Sequence, residues 1–302
     1  MNKMAPYLQS GDTIGIVCPG GFMERENAEA CIETLKQWGY RVKIGDTLGA
    51  NSMNYFSGSD EHRAKDFQKM LDDPEVKAIL CGRGGYGAGR IIERIDFKRF
   101  AKEPKWIIGY SDTTVFHAHI LQNYGISTLH APMAGAFQES DEYVLSIKDA
   151  LSGEKTMYKN DNPHPFNKKG LAKGELVGGN LSVLSHLIGT SSELKTDNKI
   201  LFLEDIGEYL YNIDRMLYQF KRSRKLQKLS GLIIGGFTEM KDTVRPFGLS
   251  VYEIINEITK KYDYPVCFDF PVGHTKKNLA LKTGITHRLN VNENEVLLEE
   301  CS

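Results

Sequence analysis

Through the first half of the chain, short runs of β-branched and aliphatic residues alternate with longer segments whose apolar positions recur every three to four residues. The runs predict strands at Thr13–Val17, Arg41–Ile44, Lys77–Cys81, Trp106–Gly109 and Thr128–His130. The longer segments predict helices near Glu24–Trp38, Asp60–Leu71, Gly89–Ile95 and Thr113–Gln122. Strands that alternate with helices imply βαβ crossovers, because a parallel neighbour is reached only through a long connection. The predicted fold class is therefore α/β, with an N-terminal, mainly parallel, Rossmann-like sheet flanked by helices. Functional loops in such a sheet gather at the carboxyl ends of the strands. Here those ends read Pro19-Gly20-Gly21, Gly82-Arg83-Gly84-Gly85-Tyr86-Gly87 and Gly109-Tyr110-Ser111-Asp112.

Between Leu151 and Lys173 the pattern lapses into polar residues rich in Lys, Asn and Pro, which predicts a linker over 153–173. It separates an N-terminal domain, 1–152, from a second, C-terminal α/β domain, 174–302. The second domain is expected to hold a strand at Glu175–Val177, a Gly-Gly-Asn turn at Gly178–Asn180 and a helix near Leu181–Ile188. A strand at Ile200–Leu203 then leads to a helix near Leu210–Phe220, a strand at Leu232–Ile234 and a helix near Tyr252–Thr259. A strand at Val266–Phe270 follows, and a closing hairpin joins Leu289–Val291 to Glu295–Leu298 through Asn292-Glu293-Asn294.

Charge narrows the partners. Lys+Arg 38 against Asp+Glu 39 leaves a net charge of -1, which argues against a nucleic-acid or anionic-membrane surface. No apolar segment approaches the roughly 20 residues a membrane helix needs. The start of the chain, through Gly21, lacks the basic, apolar and small-residue regions of a secretory signal, so the cytoplasm is the expected compartment. Cys18, Cys31, Cys81, Cys267 and Cys301 are odd in number and form no Cys-x-x-Cys pair, which speaks against a disulfide scaffold and a structural zinc site. No His-Glu-x-x-His or comparable ligand cluster is present, and neither a metal nor another cofactor is expected.

The segment Trp106–Thr114, WIIGYSDTT, carries the leading candidate chemistry. An apolar strand ends at Gly109, and Ser111 falls where the chain turns into a helix. On such a turn a serine Oγ is exposed at the sheet edge, and the next backbone N–H, that of Asp112, can face a developing oxyanion. Read alone, Ser111 is better explained as an ordinary helix cap, the commoner use of a serine there, and the second glycine of the full elbow signature is replaced by Thr113. A nucleophilic serine needs a base and an orienting carboxylate. Among the histidines, His117 lies on the wrong side of the same helix, and His119 and His130 would need unusual geometry. His274 sits on a Pro/Gly loop just past a strand, the kind of place where a rigid scaffold presents a base. Glu204 and Asp205 end an apolar run and are the candidate carboxylates, with capping of the next turn as the alternative. Cys18 and Cys81, at strand ends, are rival nucleophiles or buried packing residues. Gly82-x-Gly84-x-x-Gly87 matches the dinucleotide fingerprint, but on the third strand instead of the first and without an acidic residue placed for a ribose. Its backbone N–H groups also suit an anion or an oxyanion.

Taken in order, Gly82–Gly87, Gly109-Tyr110-Ser111-Asp112, Gly178-Gly179-Asn180-Leu181, Leu203–Glu208, Ile213-Asp214-Arg215-Met216-Leu217 and Pro271-Val272-Gly273-His274 resemble the LD-carboxypeptidase (muramoyltetrapeptide carboxypeptidase) family, which also includes microcin self-immunity peptidases. The resemblance runs from about Gly11 to the C-terminus. It implies a serine carboxypeptidase with Ser111 as nucleophile, His274 as general base and Glu204 as its orienter. It also implies an oxyanion hole from the backbone N–H of Asp112 and of the Gly84-Gly85 segment, with Gly85 as donor. The implied substrate is a cytoplasmic murein tetrapeptide that loses its terminal D-alanine, and the implied assembly is a homodimer. Gly84 and Arg83 are the expected substrate-binding residues, Arg83 for the free carboxylate or else as an anchor within its loop. Ala131 and Thr275 stand where the family often has glycine, which bears on pocket shape more than on the chemistry. An immunity-type peptidase acting on peptidyl-nucleotides, and a silent nucleotide- or peptide-binding domain, are the alternatives.

Overall fold

The computed structural model of the protein describes residues 2–50, 54–138, 141–161 and 163–301. Its strands, in chain order, are β1 (Thr13–Val17), β2 (Arg41–Ile44), β3 (Val76–Cys81), β4 (Trp106–Gly109), β5 (Thr128–His130), β6 (Met157–Asn160), β7 (Gly170–Asn180), β8 (Ile200–Ile206), β9 (Gly231–Thr238), β10 (Val266–Cys267), β11 (Leu281–Thr283), β12 (Thr286–Val291) and β13 (Val296–Glu300). The chain folds as two compact units. One runs as far as Glu154 and takes in Leu279–Lys282; the other comprises Lys155–Asn278 and the residues from Thr283 onward.

The first unit is built on a sheet of order β11-β5-β4-β3-β1-β2. β1 pairs in parallel with β2 and β3, β3 with β4, and β4 with β5. Every residue of β1 and β4 is buried, as expected of parallel strands covered on both faces. Ile14, Ile16, Leu80, Trp106 and Ile108 pack in one core with Cys31, Leu35, Val144 and Ile147 from the helices. The order of the parallel strands reverses direction between β1 and β3, and open α/β sheets take ligands in the crevice at such a switch point. The loops after β1, β3 and β4, all glycine-bearing, lie at that edge.

Some local expectations need correction. The helix near Gly89–Ile95 is broken into an α-turn, Ala88–Ile91, and a 3-10 turn, Ile92–Arg94. The segment near Glu24–Trp38 opens with a 3-10 turn before its α-helix, Glu29–Gln37. An unexpected helix, Glu142–Ser152, is started by Asp141, whose side chain accepts from the N–H of Tyr143 and Val144.

The second unit has a sheet of order β10-β9-β8-β7-β12-β13-β6. Its β7–β10 half is parallel, and β12, β13 and β6 continue it antiparallel. Part of the stretch expected as a linker is therefore sheet: Met157–Asn160 pairs with β13, and β7 begins at Gly170. Gly178–Asn180 is not a turn either. β7 runs through it, and the Asn180 side chain accepts from the Val183 N–H to cap the helix Leu181–Leu187. β8 extends to Ile206, so Glu204 and Asp205 belong to the strand. β10 stops at Cys267, and Asp269, at φ 55°, turns the chain soon after. Among the described residues no helix is long and apolar enough to cross a membrane.

Candidate active site

In the first unit the site begins at the end of β4. Ser111 opens a 3-10 turn, Ser111–Thr113, that leads into the helix Thr114–Tyr124, and its backbone lies at φ 61°. A left-handed serine costs about 1–2 kcal/mol relative to ordinary backbone, and such strain gathers at functional sites. The cap positions belong to Tyr110 and Thr113, so Ser111 caps neither helical segment. The glycine loop after β3 comes directly against it: a Cβ on Gly84 would stand 3.1 Å from Ser111 Oγ and 3.0 Å from its Cβ. Any side chain at position 84 would crowd the serine, so glycine here allows backbone to approach it.

Asp112 is buried, and its Oδ2 accepts from the Ala88 N–H at 2.8 Å. Burial raises its carboxyl above the ordinary range, although the N–H groups of Ala88 and Gly87 and the charge of Arg63 pull the other way. This contact weakens the dinucleotide reading of the loop. The helix after Gly87 is only four residues long, and a carboxylate already occupies its first N–H, that of Ala88. Gly85, at φ 88°, is exposed. Exposed Arg83 donates from Nη1 to the Phe22 carbonyl at 2.9 Å and lines a cavity of about 680 Å³ with Phe22, Met23, Tyr110, Met133 and Gln138. It is thus tied to the loop after β1 and also faces the space beside the serine turn.

The rival groups of this unit are disposed otherwise. Cys18 and Cys81 are fully buried, and burial pushes both thiols up to about 12, which leaves no thiolate near neutral pH. His117 is buried with Nε2 2.8 Å from the Gly109 carbonyl, and burial lowers its pKa to about 4. His119 packs against Phe97 and Tyr124, and His130, buried at the end of β5, stands edge-on to the Tyr110 ring.

The second unit brings His274 and Glu204 together. Glu204 Oε2 accepts from His274 Nδ1 at 2.6 Å and from the His274 backbone N–H at 3.2 Å. Glu204 is wholly buried, and its Oε1 has no hydrogen-bond partner among the described residues. Burial alone would lower the His274 pKa. The hydrogen bond and charge of Glu204, with Asp205 and Glu239 behind it, outweigh that and raise it. The neighbouring Asp205 faces elsewhere, accepting from Asn180 Nδ2 at 3.0 Å and from the N–H groups of Ser182 and Ile206 at 2.8 Å each. Burial and the nearby Glu204 charge raise Asp205 to about 6.

The His274 loop lies on Glu204 because of Gly273, which has φ 106° and room for no side chain: a Cβ there would be 2.5 Å from Glu204 Cβ and 2.6 Å from Oε2. Asn278 Oδ1 accepts from the Gly273 N–H at 2.9 Å, and Thr238 Oγ1 donates to the His274 carbonyl at 2.9 Å. Asn278 and Thr238 carry no sequence signal of this role, whereas Asn180 stood out only as part of Gly-Gly-Asn. Among the described residues no group of three or more His, Cys, Asp or Glu side chains is placed to hold a metal ion.

Comparison with known proteins adds a family. Residues 14–131 match the LD-carboxypeptidase N-terminal domain, and residues 173–289 match the LD-carboxypeptidase C-terminal domain. The chain is 34% identical to the probable murein peptide carboxypeptidase of Bacillus subtilis over 99% of its own length and 95% of that protein. It is 26% identical to the microcin C7 self-immunity protein MccF of Escherichia coli, over 98% of this chain and 96% of the relative. The crystal structure of muramoyltetrapeptide carboxypeptidase from Oxalobacter formigenes superposes with a TM-score of 0.85 at 28% identity, covering 96% of this chain and 99% of the other.

Proposed function

The chain belongs to the LD-carboxypeptidase family of peptidases, and we propose that it releases terminal D-alanine from murein tetrapeptides with a Ser111–His274–Glu204 triad. The observation that carries this reading is the left-handed Ser111 at the carboxyl edge of the parallel sheet. A strained serine that caps neither helical segment and has a glycine backbone against its Oγ is built to present a hydroxyl. The His274–Glu204 hydrogen bond supports the other half: it fixes the proton on Nδ1 and leaves Nε2 to act as base.

In the proposed reaction, Ser111 Oγ attacks the carbonyl carbon of the diamino acid while His274 Nε2 takes the hydroxyl proton. The oxyanion is met by the backbone N–H groups of Asp112 and Gly85. His274 then passes its proton to the departing D-alanine amine as the C–N bond breaks, leaving an acyl-serine. Water attacks that ester, again with His274 as base, and Ser111 is restored. Glu204 stabilises the imidazolium formed at each step. Arg83 is assigned to the substrate's free carboxylate because it lines the cavity beside the serine turn. A cytoplasmic place in wall recycling and a homodimeric state complete the reading.

Two assays test it together. Incubation with murein tetrapeptides followed by mass spectrometry is expected to yield tripeptide and free D-alanine. A fluorophosphonate is expected to label Ser111. Cleavage of peptidyl-adenylates with intact tetrapeptide would move the protein to the immunity branch, and an unlabelled Ser111 would remove the nucleophile.

A further inference from the structure

Beside the nucleophile stands a side chain that the reaction just described leaves unused. The Asp112 carboxylate is only 4% exposed. A buried carboxylate is costly unless donors surround it. Here the donor is the backbone N–H of Ala88, at 2.8 Å from Oδ2. The same stretch is gripped from its acceptor side by Arg63, a fully buried arginine on the helix Asp60–Asp72. Arg63 Nη1 donates to the Gly87 carbonyl at 3.0 Å and also to the Pro19 carbonyl, and its Nη2 pairs with Asp60. A further tie joins the loop after β1 to the glycine loop, from the Gly21 N–H to the Gly84 carbonyl at 2.9 Å. The loops after β1, β3 and β4 are therefore laced to one another by buried polar groups.

An oxyanion hole works only if its donors stand about 2.7–3.1 Å from the developing charge, and a glycine-rich loop left to itself is the most mobile of backbones. Asp112 belongs to the segment that carries one donor, and its carboxylate ends on the loop that carries the other. We propose that Asp112 is a positioning residue whose carboxylate, opposed by Arg63, holds the Gly84-Gly85 donor segment in register with its own backbone N–H around the Ser111 oxyanion. The inference rests on the serine-hydrolase reading. It adds that the two donors are fixed to each other through one side chain.

The test compares Asp112→Asn with wild type. The amide keeps the size but can meet the Ala88 N–H only through a neutral, weaker acceptor oxygen, or else turns its own NH2 against that donor. The expected result is a kcat at least tenfold lower with KM within twofold, the pattern of an interaction made in the transition state. Fluorophosphonate labelling of Ser111 should slow by a similar factor, and amide hydrogen exchange over residues 84–88 should quicken in the folded variant. Gly20→Ala is the second variant, since its methyl would stand 2.6 Å from Asp112 Oδ2 and 2.9 Å from the Gly84 carbonyl. It should reproduce the kcat loss with Asp112 intact, and it carries the test if the amide variant does not fold. If wild type is not labelled at Ser111, the nucleophile reading falls and this inference with it. If wild type is labelled and either folded variant labels within twofold of it, this inference alone is overturned, as it is if kcat falls with exchange over 84–88 unchanged.

Discussion

Replacing Glu204 with glutamine separates the charge of the orienting group from its shape. In the wild type, Oε2 accepts from both Nδ1 and the backbone N–H of His274, at 2.6 and 3.2 Å, and the histidine side chain is 14% exposed. Burial pulls the imidazole pKa down, and the carboxylate more than reverses this, so the wild-type pKa lies above the ordinary histidine value. Glutamine can keep an oxygen at Nδ1 and so keep the ring in place, but burial is then unopposed by the Glu204 charge. A neighbouring opposite charge moves a pKa by about 1–3, and each step of one is about 1.4 kcal/mol. The same imidazolium forms as Ser111 is deprotonated, so that energy is also lost from the transition state, and kcat should fall by about ten- to a thousandfold. The sign on pH is opposite to the loss of rate. A general base must be neutral, so the wild-type acid limb of kcat/KM lies above about pH 6.5 and the limb of Glu204→Gln moves lower. Rate profiles on murein tetrapeptide, paired with an NMR titration of the His274 ring, read both effects. Turnover within threefold of wild type, or an acid limb that stays or rises, would refute the reasoning.

Other consequences are as direct. Ser111→Gly and Ser111→Ala should both abolish hydrolysis, but the glycine variant, freed of left-handed strain, should be about 1 kcal/mol more stable than the alanine variant in denaturant melts; equal stability would deny the strain. Amidating the substrate's terminal D-alanine should lower kcat/KM by roughly a hundredfold, as when a charge-assisted contact is lost, and equal cleavage of acid and amide would remove carboxylate recognition. Turnover should persist after exhaustive chelation, and zinc-restored activity after EDTA would overturn the metal-free triad. Asp205→Asn should cost less activity than Glu204→Gln, because Asp205 bonds Asn180, Ser182 and Ile206 and not His274; the reverse ranking in steady-state kinetics would exchange their roles.

What sequence revealed of this molecule follows from how local each signal is. The bounds of β1, β4 and β5 could be read because buried parallel strands are short apolar runs punctuated by glycine and helix caps, and those of β2 because Arg41-Val42-Lys43-Ile44 alternates exposed polar with half-buried apolar positions. β6 escaped notice because Met157-Tyr158-Lys159-Asn160 is a half-exposed edge strand whose partner, β13, lies far along the chain. The helix Glu142–Ser152 was legible in principle, from the Asp141 cap and the spacing of Val144, Ile147 and Leu151. In the site, the turn at Ser111 could be placed, but its positive φ could not, since nothing in Tyr-Ser-Asp demands it. Residue pattern alone left Glu204 and Asp205 open, because adjacent strand residues point to opposite faces and only the fold says which face meets His274; the family resemblance is what singled out Glu204. Arg63 left no trace, being one more cation on a polar helix until its guanidinium is seen to be buried.

The short strand β11 bears on how the protein is made. It lies at the edge of the first unit's sheet beside β5, yet it comes from residues 281–283, long after that unit's other strands. During synthesis, β5 must therefore wait with an unpaired edge until residues 281–283 have been made. Closing so large a loop is slow, and an open strand edge invites pairing with other chains. A gene cut after Glu154 would leave that edge permanently bare. Such a fragment should collect in inclusion bodies unless a peptide spanning Leu279–Lys282 is supplied with it, the result expected if a strand made only after most of the second unit completes the first unit's sheet.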